Sequence, residues 1–246
     1  MKHRLPVKAL FVLLATALYY TPLFAKKTHM PQSDTTNTLT KAEKKAGWQL
    51  LFNGSNLKGW RTYQHKTGSW SVSDGAILCQ ERSDKQYADL ITEGMYGDFE
   101  LAVDWKIDPG ANSGILYRVT EQYPQTYLSG PEYQLLDDKG YAGKVEEDQH
   151  TGSNYAMQAP SADATRPVGE WNHTVIIVHK GHVEHWLNNQ KIVSYELGSP
   201  TWKQQKEKGK WKDAAGYGMA EKGHIALQDY HGKGKVWFRN IKIRPL

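Results

Sequence analysis

Glu132 and Gln134 stand two residues apart in Glu132-Tyr133-Gln134-Leu135-Leu136, a stretch with strand alternation, so the carboxyl and the amide share one face. In the nearby run Ile115–Val119, Arg118 shares a face with Leu116. Further on, Gln228 lies on the face of Ala226, and the chain continues through Asp229 to His231. If these faces coincide, they gather a carboxylate, a guanidinium, amides and an imidazole. Such a set binds hydroxyl-rich molecules, moves a proton and holds an oxyanion. The alternative is a merely solvated sheet face, and the pattern alone leaves both open.

Nine tryptophans and fourteen tyrosines add flat apolar surface, which fills sandwich cores and stacks on sugar rings equally well. Trp48, Trp60, Trp70 and Trp105 are expected in the core, whereas Trp186 and Tyr155 lie beside polar residues and are candidates for a ligand platform. His185 and Trp186 are neighbours on one strand and must point to opposite faces, without a sign of which is inside. His173, His179 and His182 sit near turns and are expected in solvent. The sequence contains no HExxH, no paired CxxC and no calcium loop. It also lacks a G-x-S-x-G elbow and a glycine-rich phosphate loop, which argues against serine hydrolases and nucleotide enzymes.

The elements that must position these residues are strands. Phe99, Leu101, Val103, Trp105 and Ile107 alternate with Glu100, Ala102, Asp104 and Lys106, followed by a turn over Pro109–Gly114. Thr174–His179 and His182–Leu187 read as a hairpin across Lys180-Gly181, and Asn188-Asn189 turns the chain into Lys191–Tyr195. Gly223–Asp229 and Val236–Arg244 read as closing strands. Many short strands separated by Gly- and Asn-bearing turns predict an all-β antiparallel sandwich. Only 200–222 reads as a place for a helix.

The formal charge of +5 belongs to the first 45 residues. Residues 1–25 carry +3 and residues 26–45 another +3, which leaves −1 for 46–246. The footprint of a nucleic-acid binder is therefore absent. Lys2, Arg4 and Lys8, an apolar run from Ala9 to Tyr20 and the small Ala25 have the layout of a cleaved signal peptide. The run is shorter than the roughly 20 residues needed to span a bilayer. The sequence thus predicts a signal peptide over 1–25, a flexible linker over 26–45 and one domain over 46–246, periplasmic or secreted, with no membrane span in the mature protein. Cys79, the single cysteine, excludes an internal disulfide and reads as a buried strand position.

Several blocks carry a resemblance. They are Leu51-Phe52-Asn53-Gly54, Leu57-Lys58-Gly59-Trp60, Tyr96-Gly97-Asp98-Phe99 and Asn112-Ser113-Gly114-Ile115 with Arg118. Gly130–Gln134, Gly169–Asn172, His185–Asn188, Ala226–Asp229 and Phe238–Ile241 continue them. From Gly47 to Leu246 the chain resembles the 3-keto-disaccharide hydrolase family, formerly a domain of unknown function. That resemblance implies a concanavalin A-like jelly roll and an oxidised glycoside or oligosaccharide as substrate. Two departures are Asp229-Tyr230-His231, where the family commonly has the histidine directly after the aspartate, and an unusual segment Asp138–Thr151.

A ketone at C3 would acidify the C2 proton, so elimination across C1–C2 and then hydration would break the glycosidic bond. The chemistry needs a base, a positive group for the enolate oxygen and an acid for the leaving oxygen. For that chemistry Glu132, His185 or His231 is the expected base and Arg118 the group that holds the ketone oxygen, with Gln134, Gln228 and Asp229 binding sugar. A divalent metal on vicinal oxygens would also serve, although no ligand spacing marks one. The other readings are a non-catalytic carbohydrate-binding module and a conventional β-glycanase. A glycanase needs a second carboxylate about 5–9.5 Å from the first, and Glu184 is the candidate if its face is the outer one.

Overall fold

A computed structural model describes residues 36–80, 86–229 and 234–246. Met1–Ala25, residues 26–35 and His231 lie outside the described residues. In chain order the strands are β1 (Gln49–Leu50), β2 (Trp60–Thr62), β3 (Trp70–Ser73), β4 (Ala76–Cys79), β5 (Leu90–Thr92), β6 (Phe99–Ile107) and β7 (Asn112–Val119). Then come β8 (Glu132–Leu136), β9 (Asn172–His179), β10 (His182–Leu187), β11 (Gln190–Glu196), β12 (His224–Leu227) and β13 (Val236–Pro245). All pairings are antiparallel. Eight strands form one sheet in the order β11-β10-β9-β6-β13-β4-β3, with β1 also on β13, and five form the other in the order β2-β5-β12-β7-β8.

The two sheets close over one core. From the large sheet come Phe99, Leu101, Val103, Trp105 and Ile107, as the alternation in β6 predicts, with Ile176, Val178 and Phe238. From the small sheet come Ile115, Tyr117, Tyr133, Leu135, Ile225 and Leu227. Cys79 is a free, fully buried thiol on β4. The short helix α1 (Lys41–Lys45) precedes the strands, and the predicted helix is α2 (Pro200–Lys208), opened by Ser199, whose hydroxyl accepts from Trp202 N. No helix among the described residues is long and apolar enough to cross a membrane.

Two expectations change. The turn expected over Pro109–Gly114 is shorter, because Asn112, Ser113 and Gly114 already pair with Leu136, Leu135 and Gln134 of β8. The second half of the expected linker belongs to the domain. A five-residue helix, Lys41–Lys45, is closed by a capping box between Thr40 and Glu43. Glu43 is buried against Lys242 Nζ at 2.6 Å, and Asn37 exchanges hydrogen bonds with Asn240. Composition suggested mobility, but these polar side chains find buried partners on β13.

Candidate active site

The outer face of the small sheet builds a cleft. In the register of β7 against β8, Leu116 faces Glu132 and Gly114 faces Gln134. Toward one end, Leu116, Ala226 and Ile91 are covered by Tyr63 and Tyr127. Past Leu116 the cover stops and leaves a space of about 360 Å³ floored by Glu132, Gln134, Gln228 and Asn112. Its walls are Tyr127, Tyr141, Tyr155, Lys210 and Trp211.

Glu132 is 3% exposed and lies across β7. A Cβ on Gly114 would come within 2.2 Å of its Oε1, so a glycine there is a steric requirement of the carboxyl's position. With its NH2 turned toward acceptors, the Gln134 amide donates to Ser113 O and to Glu132 Oε1, each at 3.2 Å. Burial and then the charge of Asp89 push the Glu132 carboxyl up to about 8, while Lys210 and a hydrogen bond from Gln228 work the other way. The result is a carboxyl that exchanges a proton near neutral pH.

The cleft wall is locked to the strand beneath it. Tyr155 N donates to Glu132 O at 3.0 Å, and Trp211 Nε1 donates to Tyr155 O at 3.0 Å. Behind Trp211, Tyr217 stacks at 4.6 Å and Trp202 of α2 stacks on Tyr217 at 6.0 Å. A second hollow of about 250 Å³ adjoins across Tyr127 and is lined by Asp89 and Asp229 among others. Among the described residues no three His, Cys, Asp or Glu side chains converge as a metal-binding group.

A family model described as the 3-keto-alpha-glucoside-1,2-lyase-like domain matches residues 47–244. The chain belongs to that family. It is 32% identical over 230 residues to a 3-keto-disaccharide hydrolase of Bacteroides thetaiotaomicron, covering 81% of this chain and 79% of that one. A solved structure from Parabacteroides distasonis, provisionally described as a glycosyl hydrolase, is 40% identical with a TM-score of 0.79, over 86% of this chain and all of that one. A second from the same organism, described alike, is 28% identical with a TM-score of 0.64, over 81% and 99%. A Bacillus subtilis protein with a galectin-like fold is 16% identical with a TM-score of 0.51, over 76% and 89%, and shares the fold alone. The jelly-roll expectation accords with these matches.

In this lyase-like domain Glu132, Gln134, Gln228 and Tyr155 meet in the cleft as the strand faces suggested. Five other candidates do not. Arg118 has φ +54° at a register shift between β7 and β12, so its backbone leaves the alternation that placed it beside Leu116. Its guanidinium instead donates to Gly97 O and Asp98 Oδ1, each at 3.1 Å. His185 lies between the sheets, fully buried. Gly152 O can only accept, so His185 Nδ1 carries the proton (2.9 Å), and Nε2 accepts from the Tyr117 hydroxyl (2.9 Å). Burial lowers the imidazole to about 4, which keeps it neutral and unavailable to the cleft.

Trp186 faces the opposite way, on the outside of the large sheet, where its Nε1 donates to Glu184 Oε2 at 2.8 Å. Glu184 is thereby removed as a second acid beside Glu132. Asp229 lines the adjoining hollow, where its carboxylate accepts from Ser69 N (3.1 Å) and Ala88 N (2.7 Å) and meets Cys79 Sγ at 3.3 Å. It ties β3, β4 and β5 together rather than facing the Glu132 cleft.

The residues that sequence reasoning missed are Gly114, Asn112, Tyr127, Tyr141, Lys210 and Trp211. Tyr141 comes from the unusual segment Asp138–Thr151, which therefore does border the cleft. Lys210 and Trp211 were hidden in a lysine-rich stretch whose composition reads as solvated helix. The Asn112-Ser113-Gly114 block held the one available signal, a glycine inside a strand, which marks a close approach.

Proposed function

We propose that this protein is an exported enzyme that cleaves glycosides already oxidised to a ketone at C3 of the sugar. The observation that carries the chemistry is Glu132, a buried carboxyl poised near neutral pH in an aromatic-walled polar cleft. The family and its relatives' names support a carbohydrate hydrolase. The ketone and the elimination are the finer part of the proposal. With His185 in the core, Glu132 is the base among the described candidates.

In its ionised form Glu132 removes the C2 proton of the keto sugar. The C–H electron pair forms C2=C3 and moves negative charge to the C3 oxygen. Collapse of this enolate forms C1=C2 and breaks the C1–O bond, and the departing oxygen takes the proton from Glu132. Water then bonds to C1 while a proton adds to C2, so the net change is hydrolysis. Gln134 and Gln228 hold the carboxyl in place and offer amides to sugar hydroxyls, and Tyr155 and Trp211 supply apolar surface for the ring.

Incubation with a 3-keto-glucoside and its unoxidised parent tests this reading. Aglycone release from the ketone alone is expected. Cleavage of the parent would overturn it in favour of a two-carboxylate glycosidase, for which Asp89 is the neighbouring acid. Binding without turnover of either would leave a carbohydrate-binding module. A divalent metal remains a separate proposal, checked by whether dialysis against chelator abolishes turnover and added metal restores it. Export predicts a mature amino terminus near Lys26 outside the cytoplasm, and an intact Met1–Ala25 in the cytosolic fraction would remove that part.

A further inference from the structure

Lys210 stands at the mouth of the cleft with its Nζ 3.4 Å from the Tyr155 hydroxyl. The same ammonium lies over the rings of Tyr155 at 4.4 Å and Trp211 at 5.0 Å. Both rings are fixed, Tyr155 through its backbone bond to Glu132 and Trp211 by stacking on Tyr217. Among the described residues no carboxylate lies within ion-pair distance of Lys210, although Lys144, Lys191 and Lys242 each have one. A flexible lysine is thus held by two π faces and a phenol, and its positive charge is left uncancelled beside Glu132. Crowding by the cleft walls lowers its pKa, an effect that the charge of Glu132 opposes.

We infer that Lys210 is the catalytic cation that receives the negative charge forming on the substrate's C3 oxygen, the role that Arg118, tied to Asp98, does not fill. The assignment rests on the proposed reaction. As Glu132 takes the C2 proton, the carbonyl π pair shifts onto the C3 oxygen, and the ammonium meets that charge by hydrogen bonding without itself being consumed. The charge returns to the carbon frame when the C1–O bond breaks. A donor aimed at charge that exists only in the transition state acts on kcat more than on KM.

The test compares wild type, Lys210→Met and Lys210→Arg on a 3-keto-glucoside across pH 5–10. Lys210→Met keeps the length and apolar stem and should lower kcat by roughly 10²- to 10³-fold with KM changed less than about 10-fold. Lys210→Arg should recover part of kcat. Among the described residues the charged groups facing Glu132 are Asp89 and Lys210, so removing the lysine should also move the rising limb of the pH profile to higher pH. Wild-type turnover with Lys210→Met within about threefold of it would overturn the Lys210 assignment and leave the reaction standing. Wild type inactive on the ketone would overturn the reaction and the assignment together.

Discussion

On the outer face of the large sheet every described charge near the middle has an answer. Glu100 meets Arg244, Lys242 meets Glu43 at 2.6 Å, and Asp104 takes His173 at 2.6 Å and Asn240 at 2.7 Å. Its tryptophans are capped by cations, Trp171 by Arg239 at 3.9 Å and Trp237 by Lys106 at 4.5 Å. In the cleft on the outer face of the small sheet the same residue types are left unresolved, although Arg61 and Glu121 pair elsewhere on that face. Among the described residues Glu132 is buried with amides but no cation at ion-pair distance, and Lys210 has rings but no carboxylate. Pairing on the first face holds the sheet and its covering segments together. The charges kept apart on the second are free to act on a ligand, and the molecule accepts a stability cost for them.

The largest effect should come from Glu132→Gln. If the comparison holds, kcat on the keto substrate falls by roughly 10³-fold, because the one well-placed proton carrier among the described residues is lost. The same variant reports the cost in stability. The folded pKa of Glu132, about 8, lies above the ordinary 4.5, so the native state retains a proton that the unfolded chain releases. Stability is therefore lost as pH rises from about 4.5 to 8. Glutamine is neutral at every pH. Thermal scans should find wild type and variant alike at pH 4 and the variant more stable at pH 8, with a gain of order 3 kcal/mol at pH 7. Equal stability at both pH values would mean that Glu132 is not strained by burial.

Lys242→Met attacks the other side of the comparison. It leaves the Glu43 carboxylate buried without its cation and loosens the short helix that Glu43 caps. The expected loss is about 3 kcal/mol in chemical denaturation, with turnover of folded protein unchanged. A loss below about 1 kcal/mol would show that the pair behaves as a surface bridge.

How legible these faces were depends on how local their causes are. Alternation placed β6, β8 and the Glu132–Gln134 face correctly, because period-two patterning is written in adjacent residues. It failed at Arg118, where a left-handed φ and a register shift break the period that the inference used. It could not choose between His185 and Trp186, since both burials are chemically sound. The choice is made by Gly152 O and Tyr117, which lie 33 and 68 residues away. Lys210 was invisible for the same reason, since its neighbours Tyr155 and Glu132 are 55 and more residues distant in the chain. The segment before Gly47 was misjudged because composition reports hydrophobicity, whereas Asn37 and Glu43 are held by specific polar partners on β13.

The smallest effect sharpens the comparison most directly, because Trp186 and Tyr155 were equal candidates for a sugar platform and now lie on opposite outer faces. Trp186 covers Ala102, Val175 and Ile177 and bonds to Glu184, so Trp186→Ala should cost about 1 to 2 kcal/mol of stability. It should leave KM and kcat on the keto substrate within about twofold. Tyr155→Ala, by contrast, removes a cleft wall and one of the rings under Lys210, and KM and kcat should both suffer. If the losses came out the other way round, with Trp186→Ala raising KM tenfold and Tyr155→Ala silent, substrate would have to sit on the large sheet. The paired charges there would then be the binding surface, and the cleft at Glu132 would lose its claim.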